Sequence, residues 1–263
     1  MRRTKIPWFL WVLSVAAILV VGLPLVGIFV RAPWADFLSL VQESSTRDAF
    51  FISIQTSIIA TFFCCMCGVP LAWVFARHSS RVLDIVRTAC LSPMVLPPVV
   101  GGIALLTAFG RRGIVGQYMY EWWGISLPFT RTAVVLAQVF VSLPFLVVAT
   151  ESAFRQIDRG LEEAAQTLGA SPTRIFFTVA LPGARHAIGA GIALAWARAL
   201  GEFGATITFA GSFPGRTQTL PMAVYVLVAV NYQQSLVLSL ILVVISISVL
   251  LGLRDSWLGG VRR

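Results

Sequence analysis

The sequence predicts an all-α integral membrane protein with six transmembrane helices. Only 12% of its 263 residues are charged, about half the ~25% usual in globular domains. The chain is 57% hydrophobic with a mean hydropathy of +0.85. Apolar runs of about twenty residues recur along it, the length needed to cross a hydrocarbon core of about 30 Å.

Taken in order, the spans fall at about 8–30, 50–76, 83–109, 132–150, 183–210 and 235–253, and they form one transmembrane domain over 1–263. The opening Met1-Arg2-Arg3-Thr4-Lys5 followed by an apolar run imitates a signal peptide. The run from Trp8 to Val30 is too long for an h-region, and no small-x-small cleavage site follows it. The first span is therefore expected to stay uncleaved.

An even number of spans places both termini on one side. With the amino end inside, the inner segments hold Arg2, Arg3, Lys5, Arg77, Arg81, Arg87, Arg155, Arg159, Arg174, Arg185, Arg254, Arg262 and Arg263. The outer segments hold Arg31, Arg47, Arg111, Arg112, Arg131 and Arg216. Thirteen against six puts both termini in the cytoplasm by the positive-inside rule. The same asymmetry explains the formal net charge of +9, so the partner it implies is membrane lipid and no nucleic acid.

Span two contains Cys64-Cys65-Met66-Cys67. Soft-metal binding is one reading, and cysteine as a small hydrophobe is the other. No histidine stands nearby and the spacing matches no ligand pattern, so no metal site is assigned. His78 and His186 are expected to be solvated at the interface.

Span three carries Pro93, Pro97, Pro98, Gly101 and Gly102. Each proline removes a helix hydrogen bond and clashes with the preceding turn. Irregular backbone at membrane depth survives only inside protein or beside a water-filled cavity. Span three is expected to be broken and to face the interior, which makes Pro97 and Pro98 candidates for a pathway or gate.

Span five has small residues every four positions, at Gly189, Ala193, Ala197, Gly201 and Ala205. They would share one helix face and permit close packing, with or without a pathway or dimer seam. Arg198, Glu202 and Thr206 recur at the same spacing. Two unpaired charges at the bilayer centre would each cost about 2.5–3.5 kcal/mol, so an Arg198–Glu202 pair is expected. Lining of a pathway and a purely structural pair are both compatible with it.

Between spans four and five the chain reads Asp158-Arg159-Gly160-Leu161-Glu162-Glu163-Ala164-Ala165-Gln166-Thr167-Leu168-Gly169-Ala170-Ser171-Pro172. Asp158 is placed as a helix N-cap, with acidic residues in the first turn. Leu161, Ala164, Ala165 and Leu168 form an apolar stripe over two turns. Gly169 suits a left-handed stop, and Ser171-Pro172 restarts a helix running to Pro182. Two turns of helix are not stable alone. Periodicity leaves two readings open, a helix lying on the membrane and an elbow that docks on a partner.

Glu163-Ala164-Ala165, three residues, Gly169, nine residues, Val179, one residue, Leu181-Pro182 resembles the signature loop of permease subunits of bacterial ATP-binding-cassette importers. Val179 stands where that family commonly has Ile. Leu96-Pro97-Pro98-Val99-Val100, Phe109-Gly110-Arg111-Arg112-Gly113 and Ala197–Thr206 resemble the molybdate, tungstate and sulfate branch. Phe213-Pro214-Gly215-Arg216-Thr217-Gln218-Thr219-Leu220-Pro221 looks most like molybdate permeases.

The resemblance implies the type I importer permease fold, with a cytoplasmic coupling helix in a loop at about 158–182. It implies a homodimer with a second permease copy, two ATPase subunits that bind ATP and Mg, and an extracytoplasmic oxyanion-binding protein. The setting would be a bacterial or archaeal cytoplasmic membrane. The coupling set is then Leu161, Glu163, Ala164, Ala165, Leu168, Gly169 and Arg174. The pathway set, Pro97, Pro98, Arg198, Glu202 and Thr206, follows from burial and helix breaking.

No catalytic residue is expected on this chain. A Walker A loop needs a Gly-Lys pair, and the only lysine is Lys5. No H-E-x-x-H or G-x-S-x-G occurs. A secondary transporter would usually show repeated halves, which this sequence lacks. A sulfate importer is the nearer alternative.

Overall fold

A computed structural model describes the backbone of residues 7–258 and the side chains of 7–252. Arg2, Arg3, Lys5, Arg262 and Arg263 of the charge count, and the side chain of Arg254, lie outside them. The described residues are helical with no strand.

Among the described residues four helices are each long and apolar enough to cross a membrane: α1 (Trp8–Arg31), α3 (Ser44–Arg77), α7 (Arg131–Gln156) and, over Tyr232–Gly252, α14 (Tyr232–Leu258). At 1.5 Å per residue, α1 is about 36 Å long and α3 about 51 Å. A short α2 (Phe37–Gln42) links the first two. Counting one bent pair as a span makes five.

The third expected span is in pieces. Helix α4 (Arg81–Leu91) ends in a 3-10 turn at Ser92–Met94, and α5 (Pro98–Phe109) starts anew. The 12 residues of α5 reach about 18 Å, roughly half a bilayer. Proline at the start of a helix is well placed, since its missing N–H would be unsatisfied there anyway. A short α6 (Gly116–Trp123) follows and ends at Gly124 in the left-handed region.

The fifth expected span is not one helix. After α8 (Arg159–Thr167), a helical rod runs through α9 (Pro172–Ile175), a wider turn at Phe176–Ala180 and α10 (Leu181–Gly183). It bends by 78° into α11 (Arg185–Leu200). The chain then breaks at Gly201–Phe203 and resumes as α12 (Gly204–Ala210). The expectation that Arg198, Glu202 and Thr206 ride one helix is therefore corrected. Arg198 is on α11, Glu202 in the break and Thr206 on α12. Glu202 explains the restart, because its Oε1 accepts from the backbone N–H of Ala205 at 2.9 Å and caps the new helix. Helix α13 (Leu220–Val230) completes the set.

The core is built around α7, which packs mainly on α3 and α11. One cluster joins Cys64, Ala72 and Phe75 to Leu146, Phe154 and Ala195. A second joins Leu105 of α5 to Val134 and Val141 of α7 and to Phe209 of α12. A third sets Ala49 against Leu220, Ala223 and Leu238. Cys64 is fully buried with its sulfur 3.3 Å from the Ser142 hydroxyl, a small core residue.

The small-residue stripe of α11 is not the face packed within this chain. The buried face is Ile188, Gly191, Ala195 and Ala199, where a Cβ on Gly191 would come within 3.2 Å of Leu146 and Ala149. Gly189 and Gly201 are exposed, with Ala193 and Ala197 half-buried. The expected single face does not extend to Ala205, which is on α12 and fully buried; the α11 part of the stripe is left partly open.

Candidate functional site

Two regions collect the residues singled out by the sequence. The first is the elbow at α8. Asp158 caps it through Oδ1, which accepts from the Gly160 N–H at 2.9 Å. Gly169 takes φ +82 with nothing near its missing Cβ, so its conformation alone requires glycine. Ser171 caps the restart by accepting from the Arg174 N–H at 3.3 Å.

The exposed face of α8 carries Leu161, Glu163 and Ala164, with Ala165 half-buried, and Arg174 is exposed beyond the stop. Leu168 is 88% exposed. A two-turn helix with its leucines outward has its apolar stripe unpartnered among the described residues.

Its opposite face is anchored. Glu162 is buried and takes a two-pronged contact from Arg77 at the end of α3. Nε donates to both carboxylate oxygens at 3.0 and 2.9 Å, and Nη2 to Oε1 at 2.7 Å. Forked guanidinium–carboxylate geometry fixes orientation as well as distance. A second knot lies beside it. Glu151 on α7 is 1% exposed, and Arg155 at 2.8 Å and Arg87 of α4 at 3.0 Å both reach its Oε1. Arg155 also donates to the Phe75 carbonyl of α3 at 3.2 Å.

No motif marks these pairs in the sequence. Glu151 and Arg155 follow the same four-residue spacing as Arg198 and Glu202, so that link was available. The Arg77–Glu162 contact spans 85 positions, and no local pattern announces it.

The second region is where the two broken spans meet. Gly204 packs directly on Pro98, so closely that a Cβ there would lie 2.4 Å from the Pro98 Cβ. Gly102 similarly admits Thr208 and the Ala205 carbonyl, at 2.6 and 2.9 Å from the Cβ it lacks. The glycines of α5 and α12 thus let the two half-helices touch along their backbones.

Arg198 Nη1 lies 2.6 Å from Glu202 Oε2, with Glu202 buried and Arg198 part-exposed. Thr206 is fully buried and its hydroxyl has no hydrogen-bond partner among the described residues. The expected interior placement of span three holds for Gly101, Gly102 and Leu105. Pro97 and Pro98 do not follow it, since both are exposed in this chain along with Val95 and Val99. Irregular backbone on such a face needs covering protein or a wet cavity.

Beyond α12 the loop at 212–219 is tightly tied. The Phe213 carbonyl accepts from the N–H groups of Arg216, Thr217 and Gln218 at 2.9–3.1 Å. Arg131 at the start of α7 grips it through the carbonyls of Gly215 and Arg216.

The family described as binding-protein-dependent transport system inner membrane component matches residues 68–258. A molybdenum transport system permease protein of Mycobacterium tuberculosis is 45% identical over 249 residues, covering 95% of this chain and 94% of the relative. A probable sulfate transport system permease protein of Chlorokybus atmophyticus is 33% identical, covering 88% and 82%. Among solved structures, a bacterial ABC transporter involved in the import of alginate superposes with a TM-score of 0.70 at 17% identity, covering 95% and 93%. That likeness shows a shared fold.

Proposed function

The chain belongs to the family of binding-protein-dependent transport system inner membrane components, and from that premise we propose that it is the membrane subunit of an ATP-driven importer carrying molybdate, with tungstate as a second cargo. The observation that carries the cargo is the 45% identity, over nearly the whole chain, to a molybdenum permease. The loop 213–221 and the paired breaks lie within that aligned length.

Coupling is assigned to α8. Its outward Leu161, Ala164 and Leu168 fit a groove on a separate ATPase, Glu163 supplies a charged contact, and Gly169 and Ser171 hold the elbow rigid. Arg174 flanks the same surface. Two ATPases bind ATP and Mg, and their closure draws two elbows together. Two copies of this chain form the pathway, and an extracytoplasmic binding protein delivers the oxyanion. Both termini and α8 face the cytoplasm, where ATP is found.

The pathway is assigned to the meeting of α5 with α12, where each copy brings Pro97, Pro98, Arg198, Glu202 and Thr206. A lone arginine would trap a dianion. Paired with Glu202, Arg198 offers weak attraction, which suits a site that must release what it admits. A sulfate cargo is the second reading, favoured by the 33% identity to a sulfate permease. Reconstitution of the permease with its ATPase and binding protein separates them. Molybdate uptake should depend on ATP and resist a large excess of sulfate; equal competition by sulfate would reassign the cargo.

A further inference from the structure

The ion pairs behind α8, joined by one hydrogen bond to a backbone carbonyl, lead to the break in the third span. Glu162 of the elbow holds Arg77 of α3. Two residues before Arg77, the Phe75 carbonyl holds Arg155 of α7. Arg155 shares the Glu151 carboxylate with Arg87 of α4. Helix α4 then leads through Ser92–Met94 to Pro97 and Pro98. Four helices are joined at one end of the molecule by three basic and two acidic side chains.

We propose that this chain transmits movement of the elbow to α4, with Arg77, Glu162, Glu151, Arg155 and Arg87 as positioning residues. The inference rests on the coupling reading of α8 and adds what lies behind it. Glu162 and Glu163 then divide the work of one helix: Glu163 faces the partner and Glu162 faces the permease. A forked contact resists rotation as well as separation, so a push on α8 reaches the end of α3 without slack.

The Glu151 knot differs in character. Both guanidinium groups crowd on Oε1, while the buried Oε2 and the Arg87 Nε have no hydrogen-bond partner among the described residues. A buried polar group left unpaired calls for an explanation, and a second arrangement in which Arg87 meets Oε2 supplies one. Arg87 is therefore free to shift to Oε2 as α4 tilts about the break at 92–97, which moves Pro97 and Pro98 relative to α12. Transmission of this kind requires a two-state element that both ends bias, and the hinged α4 is that element.

The test uses the full complex in proteoliposomes and reads molybdate uptake per ATP hydrolysed. Glu162→Gln and Glu151→Gln should each keep the ATPase bound at wild-type stoichiometry and keep hydrolysis, while uptake per ATP falls about tenfold. The swap Arg77→Glu with Glu162→Arg should recover most of that loss, which a residue needed only for folding would not do. Arg77→Lys keeps the charge but loses the fork, so it should give intermediate coupling even where a glutamine variant assembles poorly. Wild-type uptake per ATP in both glutamine variants would overturn the proposal. Loss of the ATPase from Glu162→Gln would also overturn it, by making Glu162 a docking contact. The docking reading has its own check, since it fails when Glu163→Lys retains the ATPase and normal uptake.

Discussion

Two glycines show how differently a residue can be required. Gly169 sits at φ +82 in open space, so Gly169→Ala meets no atom and only strains the backbone, by about 1–2 kcal/mol. Gly204 needs no unusual backbone angle, but it lies so close to the rigid ring of Pro98 that a Cβ added to it would sit 2.4 Å from the proline Cβ. Gly204→Ala must push α5 away from α12, at about 1–3 kcal/mol for overpacking. Thermal unfolding of the purified permease should therefore fall in both variants. Uptake should fall more in Gly204→Ala, because its clash lies between the two half-helices; equal uptake loss would separate the α5–α12 contact from transport. The role of Gly169 was readable in sequence, since a glycine ending an amphipathic stretch signals a left-handed stop. That of Gly204 was not, because the contact joins residues more than a hundred positions apart.

At the scale of elements, α8 was legible almost entirely. Its cap, stop, restart and stripe are all local patterns, and local patterns survive into the structure. The break in span three was equally local, announced by Pro97-Pro98. The break in span five was hidden. Gly201 and Ala205 read as one small face of a membrane helix, and a four-residue spacing of Arg198, Glu202 and Thr206 fits a continuous helix as well as two. What decides is Glu202, which caps α12 with Oε1 and pairs Arg198 with Oε2.

Those two contacts predict that Glu202→Gln keeps much of the cap but loses the ion pair. Arg198 is 30% exposed, so leaving it without its partner should destabilise the permease by clearly less than the about 3–5 kcal/mol of a fully buried broken pair. Unfolding of the variant beside Glu202→Ala, which loses cap and pair together, measures the division between them. On α8, Leu168 is 88% exposed, so Leu168→Ala should change stability by no more than about 0.5 kcal/mol. The same variant should weaken ATPase co-purification; an unchanged complex would return the leucine to a membrane-surface role.

For the whole molecule, the open surface of one chain defines what must cover it. Pro97, Pro98 and Val95 present irregular backbone on an exposed face, and Gly189 and Gly201 leave the side of α11 bare. Lipid cannot satisfy freed backbone groups, whereas a second copy with small residues at the same seam permits close approach. The two faces of α11 make the idea testable by position. Ala197 lies on the open stripe, while Ala195, two residues earlier, is fully buried against the core. In a background where Cys64, Cys65, Cys67 and Cys90 are replaced by alanine, Ala197→Cys should form a disulfide-linked dimer on mild oxidation in membranes. Bridging needs Cα atoms within about 7 Å, so the result reports a seam and not mere proximity in the bilayer. Ala195→Cys should stay monomeric under the same oxidation. Absence of the Ala197 cross-link, with a cross-link instead at Val20 on the exposed α1, would move the dimer interface to the first span and leave the α11 seam to the lipid or the pathway.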